Sequence, residues 1–198
     1  MEIVKVAKEK VDKTVTFFKK VLGMMMVWGL IYSLVTIGGL KVAFDYDDTL
    51  VFSTPSYTKA FKSGTVPFSP AFWEIVNNSY DIESRKILTN SAAWILRVFG
   101  FRITILADRP SYGGQALRKE WRHLASNFVF AGEREGVRAA TLGSATYVLY
   151  FTDRDSSITA GRKAKVLALR IRRSPKSSYK EDYHPATMQE LVVPFSEY

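Results

Sequence analysis

Past residue 40 the chain alternates short apolar runs with stretches of helical spacing. The runs at 41–44, 102–106, 128–130, 147–151 and 166–171 are rich in β-branched and aromatic residues, the pattern of strands buried on both faces. Helical spacing predicts helices near 84–99, with Gly100 as the C-terminal stop, and near 115–126, 137–142 and 158–165. Strand–helix alternation of this kind predicts an α/β fold, a Rossmann-like core with a parallel sheet covered on both faces. The stretch 52–81 breaks the rhythm. It carries Pro55, Pro67 and Pro70 with several aromatics and no clean period, and reads as an inserted cap or loop region.

The amino terminus follows a different pattern. Residues 21–40 carry no charge and lie between Lys20 and Lys41. As a helix such a run spans roughly 30 Å, the thickness of a bilayer core. Residues 1–20 set Val4, Ala7, Val11, Val15 and Phe18 at helical spacing between lysines, which suits an amphipathic helix on an anionic membrane surface. The organisation expected is therefore a basic segment at 1–20, a hydrophobic helix and membrane anchor at 21–40, and a domain at 41–198. With lysines ahead of the span, the positive-inside rule puts the N-terminus in the cytoplasm and the domain on the periplasmic side. Two other readings stay open: a cleaved signal peptide, although no small-x-small site follows the run, and a soluble helix buried in the domain or between copies.

The formal charge is +9, unevenly spread: +3 in 1–20 and +8 in 161–180, with the rest slightly acidic. Arg170-Ile171-Arg172-Arg173 reads as the solvated face and end of a last strand, and only Tyr179 interleaves with the basic run, so specific nucleic-acid binding is not expected. Cysteine is absent, which excludes a disulfide scaffold, a thiolate zinc site and a cysteine nucleophile. With His123 and His184 as the only histidines, metal chemistry must rest on carboxylates, which favours a hard ion such as magnesium.

Those carboxylates stand where chemistry is expected. The strand Val42-Ala43-Phe44 runs straight into Asp45-Tyr46-Asp47-Asp48-Thr49, and ligands of open parallel sheets bind at the carboxyl ends of strands. Packing Asp45 beside Asp47 is unfavourable unless a cation neutralises them. A second pair, Asp153 and Asp155, follows the run 147–151, so two acid-tipped strands can hold one Mg2+ and leave room for a phosphate.

The turn Asp45-Tyr46-Asp47-Asp48-Thr49 resembles the first motif of the haloacid dehalogenase superfamily. The following Leu50-Val51-Phe52-Ser53-Thr54-Pro55, then Pro70-Ala71-Phe72-Trp73-Glu74 with Asn77-Asn78, Phe130-Ala131-Gly132, Ser178-Tyr179-Lys180 and Ser196-Glu197-Tyr198, resemble class B bacterial acid phosphatases. The resemblance implies a phosphomonoesterase. Asp45 would attack phosphorus and form an aspartyl-phosphate. Asp47 would protonate the leaving alcohol and then activate water. Mg2+ would be held by Asp45, the backbone carbonyl of Asp47 and Asp153. Thr49, Arg109 and Arg138 would serve the phosphate, and Tyr57, Trp73 and Tyr179 would line an apolar slot for a nucleotide base or aryl group.

The chain departs from the family pattern in three places. Ala107-Asp108 stands where a threonine and glycine precede Arg109, Arg138 replaces a lysine, and Ser156-Ser157 replaces a final acid. Two functional readings follow: a membrane-anchored, Mg2+-dependent enzyme acting on small phosphate esters, and a catalytically degenerate domain serving a membrane complex. The family is typically oligomeric, so a second copy or a membrane-complex subunit is the protein partner expected.

Overall fold

The computed structural model describes the backbone of residues 2–133, 136–144 and 146–198, and the side chains of these residues apart from 2–11 and 133. Helix α1 (Glu2–Ile37) runs unbroken through both predicted amino-terminal segments. At 1.5 Å per residue it is about 54 Å long. The positions Val4, Ala7 and Val11 of the amphipathic pattern lie outside the described side chains. From Val15 onward nearly every large apolar side chain of α1 is exposed, from Phe17 and Phe18 through Met24 to Leu34, and only Val35 is buried. Such a surface is not the face of a core helix of this domain.

After the turn at Gly38-Gly39 the chain enters β1 (Lys41–Asp45). Then come β2 (Val51–Phe52), α2 (Thr54–Lys62), α3 (Pro70–Asn78), β3 (Ser84–Arg85), α4 (Ile87–Val98), β4 (Arg102–Ala107), α5 (Gln115–Trp121), β5 (Asn127–Phe130), α6 (Val137–Gly143), β6 (Tyr147–Thr152), α7 (Asp155–Lys163), β7 (Leu167–Ile171) and β8 (Leu191–Val193). Six strands form one sheet in the order β5-β4-β1-β6-β7-β8 among the described residues, and every pair in it is parallel. The chain goes from β1 to β4 on one side and later to β6 on the other. The carboxyl end of β1 is thus a topological switch point, where open sheets bind ligands.

Alternate residues of each strand feed two cores. Val42 and Phe44 of β1, Ile103 and Ile105 of β4 and Phe151 of β6 face Ala93 of α4 and Leu117 and Trp121 of α5. Ala43, Leu106 and Tyr150 face the other way, onto Leu142 of α6 and Ile158 of α7. Phe44 and Phe151 stack with centroids 4.5 Å apart across neighbouring strands. Gly100 adopts φ +91° just past α4, the left-handed conformation of a helix stop.

Several expectations need correction. The stretch 52–81 is not irregular: α2 and α3 pack on each other there around Ala60, Phe72 and Val76. Pro55 and Pro70 sit in the first turns of these helices, where a missing N–H costs nothing, so they are starts rather than breaks. Each helix is only nine residues long, too short to display a period. The helix predicted from residue 84 starts at Ile87, because Ser84 and Arg85 pair antiparallel with Phe52 and Val51. The helix expected to reach 126 ends at Trp121, and the one expected from 158 starts at Asp155. Strand β8, which pairs parallel with β7, had no run of predicted strand. Finally, the arginines at the end of β7 are not a wholly solvated face: Arg170 within the strand and Arg173 just past it are buried, and only Arg172 is exposed.

Candidate active site

Because β1, β4 and β6 are adjacent and parallel, their carboxyl ends bring Asp45, Arg109 and Asp153 to one edge of the sheet. Asp45 ends β1 and is buried. Its Oδ1 accepts from the Tyr150 hydroxyl and its Oδ2 from Thr152, both at 2.5 Å, and Arg138 of α6 lies 3.7 Å from Oδ1. Burial pushes the Asp45 pKa up, Arg138 opposes that, and the charge of Asp153 adds to it. The charge of one strand-tip carboxylate thus disfavours ionisation of the other.

Asp47 is tied to Arg109. Nε and Nη2 of Arg109 donate to Asp47 Oδ1 at 2.9 and 2.7 Å, and Nη2 also pairs with Glu83 at 2.5 Å. Arg109 is fully buried, with its guanidinium carbon 4.9 Å from the Tyr46 ring centroid and 5.3 Å from that of Tyr57. It is not the free clamp that the motif implies: only Nη1 remains without a partner. Asp47 Oδ2 is likewise buried and unpartnered. Glu83, which sequence reasoning missed, also accepts from the Tyr46 and Ser56 hydroxyls at 2.5 Å, and burial raises its pKa. No local motif marks it, since its role comes from a turn folding back over the site.

Thr49 is fully buried and its hydroxyl donates to Asp153 Oδ1 at 3.1 Å, so it orients that carboxylate. Asp153 Oδ2 is held by Arg173 Nε at 2.5 Å. Asp155 leaves the site altogether. Its carboxylate binds Arg170 at 2.6 Å and the His184 ring at 2.8 Å, tying the C-terminal loop to β7. Burial works against ionisation of Asp155, but the hydrogen bonds from His184 and Arg170 outweigh it and hold its pKa low. The second acid pair thus supplies one carboxylate, not two.

The substitutions at 107–108 gather a further pair of cations. Asp108 lies 3.2 Å from Arg138 Nη2 through Oδ1, and its Oδ2 is paired with Arg154. Arg154, also missed, stacks over Tyr179 with 5.0 Å between the guanidinium carbon and the ring centroid.

A cleft of about 620 Å³ opens here. Asp47, Asp48, Asp108, Asp153 and Arg154 line its polar end, and Tyr57, Phe61, Phe68, Trp73 and Tyr179 its walls. All three predicted slot aromatics reach it. Asn77 of α3 anchors these walls by donating to the carbonyls of Pro110 and Tyr112 at 2.9 and 2.7 Å, fixing the cap to the loop that follows Arg109.

Among the described residues no cluster of three or more acids or histidines forms a metal cage. The oxygen donors present, the Asp45 and Asp153 carboxylates and the Asp47 carbonyl, fit a small hard cation of the kind that binds one or two carboxylates and completes its shell with water and substrate phosphate. The carboxylate oxygens of that set accept from Tyr150, Thr152, Thr49 and Arg173, and the buried oxygens left without partners are Asp47 Oδ2 and Asp48 Oδ1, outside it. Ser157, fully buried behind it, supplies no further carboxylate.

No family model matches the chain. The fold is that of haloacid dehalogenase-type hydrolases: 80% of the chain superposes on 94% of a HAD hydrolase, family IA, variant 3, from Entamoeba histolytica HM-1:IMSS, with a TM-score of 0.52 at 13% identity. In sequence, 80% of the chain is similar to 73% of a class B acid phosphatase of Klebsiella pneumoniae (strain 342), at 29% identity. The class B acid phosphatase of Salmonella typhi matches to the same extent, also at 29%. The resemblance carried by the motifs therefore extends over four fifths of the chain, with homologues in class B acid phosphatases.

Proposed function

We propose that the protein is a membrane-anchored phosphomonoesterase that works through an aspartyl-phosphate on Asp45. The observation that carries this is the cleft itself: Asp47 and Asp48 of the turn after β1 stand with Asp153 and Arg154 at its polar end, and aromatic walls run along its length. Buried polar groups without partners are costly, and the oxygens of a bound phosphate ester would accept from the free nitrogens of Arg109, Arg138 and Arg173, whereas Asp47 Oδ2 and Asp48 Oδ1 call for a proton or a cation.

Asp45 is held by the Tyr150 and Thr152 hydroxyls with its carboxylate kept near Arg138, the arrangement of an oriented nucleophile. Its oxygen forms the bond to phosphorus as the ester oxygen leaves. Asp47 Oδ2 would give its proton to that oxygen and later take one from the water that cleaves the acyl-phosphate, releasing inorganic phosphate. Arg109 fixes Asp47 by its other oxygen, so the proton has one seat. Asp45, Asp153 and the Asp47 carbonyl are the groups that would hold Mg2+. When bound, the ion would neutralise charge on the transferring phosphoryl group. Tyr57, Trp73 and Tyr179 would take an aryl group or a nucleotide base.

Among the described residues one helical segment, Asp12–Ile37, is long and apolar enough to cross a membrane, with only 6% of its apolar window buried. That exposure supports an anchor. The lysines ahead of it support a cytoplasmic N-terminus with the domain on the periplasmic side. No feature of the described surface commits to a homo-oligomer. Arg170 and Arg173 are used internally, which argues against a nucleic-acid surface on 161–180.

Hydrolysis of an aryl phosphate by the purified protein with magnesium, against Asp45→Asn as blank, tests the reading; equal rates from acid to neutral pH would overturn it. That result would favour the second reading, a phosphatase-like domain without turnover. Asp108, paired with two arginines beside Asp45, and the loss of an acid at Ser157 speak for it.

A further inference from the structure

The phosphate-ester reading leaves open which cations receive the phosphate, and beside the Arg138 that the motif implies this chain sets Arg154 and Asp108. Arg109 is turned into Asp47 and Glu83, leaving one free nitrogen. Two other guanidiniums meet beside the nucleophile. Arg138 reaches from α6 to within 3.7 Å of Asp45, and Arg154 comes from the turn after β6. Both are paired with a single carboxylate, Asp108, which follows β4. A helix and a turn thus converge on one negative charge.

We infer that Arg138 and Arg154 form the anion seat of the protein, and that the Asp108 carboxylate occupies it as a resident internal anion that a phosphate ester must displace. Asp108 and Arg154 line the cleft, so the seat opens onto the aromatic walls. Nε and Nη2 of Arg138 are buried without a well-formed hydrogen bond even with Asp108 in place. One carboxylate cannot satisfy two planar forks, whereas a phosphate dianion offers more charge and three terminal oxygens. The Asp108 side chain is 22% exposed, which gives it a path out to solvent. Arg154 rests on Tyr179, so its fork stays in place when Asp108 leaves. The ligand that fits is a phosphate monoester with an apolar or aromatic group.

Asp108 then acts as a brake on anion binding. Titration of the full-length protein with inorganic phosphate by calorimetry tests this without any turnover. Asp108→Asn, which keeps the shape and removes the charge, is expected to tighten phosphate binding about tenfold. Arg154→Gln is expected to weaken it, and the double variant to lose the gain, while Arg154→Lys retains part of it. Thermal melts of each variant separate a local effect from misfolding. Unchanged or weaker phosphate affinity in folded Asp108→Asn, or a full gain in the double variant, overturns the seat. If Asp108→Asn binds more tightly but no variant hydrolyses aryl phosphate, the seat stands and the enzyme reading falls. Asp45-dependent hydrolysis with no effect of Asp108→Asn on phosphate binding gives the reverse.

Discussion

Lys86 shows how a single buried charge sets the behaviour of its surroundings. Its ammonium is buried and donates to the carbonyls of Asp48 and Arg172 at 2.9 and 2.6 Å, joining the nucleophile turn to the segment after β7. Burial lowers its pKa to about 8, against the attraction of Asp153 and Asp48. Unfolded, it titrates near 10.4. Below about pH 8 both states hold the proton and the fold bears the cost of burying it. Between about 8 and 10.4 the unfolded chain binds more protons, so the contribution of Lys86 to stability rises with pH, with a slope approaching 1.4 kcal/mol per unit. Urea unfolding from pH 7.5 to 10 is expected to show this rise, and Lys86→Met to flatten it whatever its own stability. A second residue, Glu83, answers the buried cation of Arg109, and without it that cation would face Asp47 alone.

Among the elements, the 3-10 turn after β5 explains a motif whose purpose the sequence does not reveal. A Cβ on Gly132 would lie 2.7–2.9 Å from the backbone of Arg109. The turn approaches the β4 loop so closely that only a glycine fits, and that contact backs the segment carrying Asp108 and Arg109. Gly132→Ala is expected to push this segment forward and to lower kcat/KM for an aryl phosphate by about 10- to 100-fold, since small displacements of positioned groups are amplified in rate. Circular dichroism should show the fold retained. The cap follows the same logic: α2 and α3 are short, so their stability comes from the aromatic contacts between Phe61, Phe68, Phe72 and Trp73 and from Asn77, not from helix propensity.

On the scale of the whole molecule, α1 enters β1 at its amino end while Asp45 closes its carboxyl end. An anchor formed by α1 therefore leaves the cleft facing away from the bilayer. Near its end α1 comes close to the domain at Gly100, where an added Cβ would come within 2.8–3.2 Å of Tyr32 and Thr36. Leu30 is exposed in the middle of the apolar span. A central arginine costs about 2.5–3.5 kcal/mol on insertion. Leu30→Arg is expected to shift the protein from the alkali-resistant membrane fraction to the supernatant. If both forms partition alike, α1 is not an anchor.

The positions of β1, β4, β5, β6 and β7, the parallel α/β class, the D-x-D turn and the apolar amino-terminal helix were legible from the order of residues. Each is a local pattern: a buried strand must be apolar along its length, and a turn at its end carries its chemistry in consecutive residues. The cap helices were not legible, because two nine-residue helices gain their order from each other. Nor could the order of residues assign partners to the long charged side chains. Whether Arg109 faces a phosphate or Glu83, whether Asp155 joins Asp153 or turns to Arg170, and that Arg138 and Arg154 converge on Asp108, depends on loops that meet only once the sheet is assembled. A guanidinium can reach several carboxylates from one backbone position, so only the tertiary arrangement selects among them.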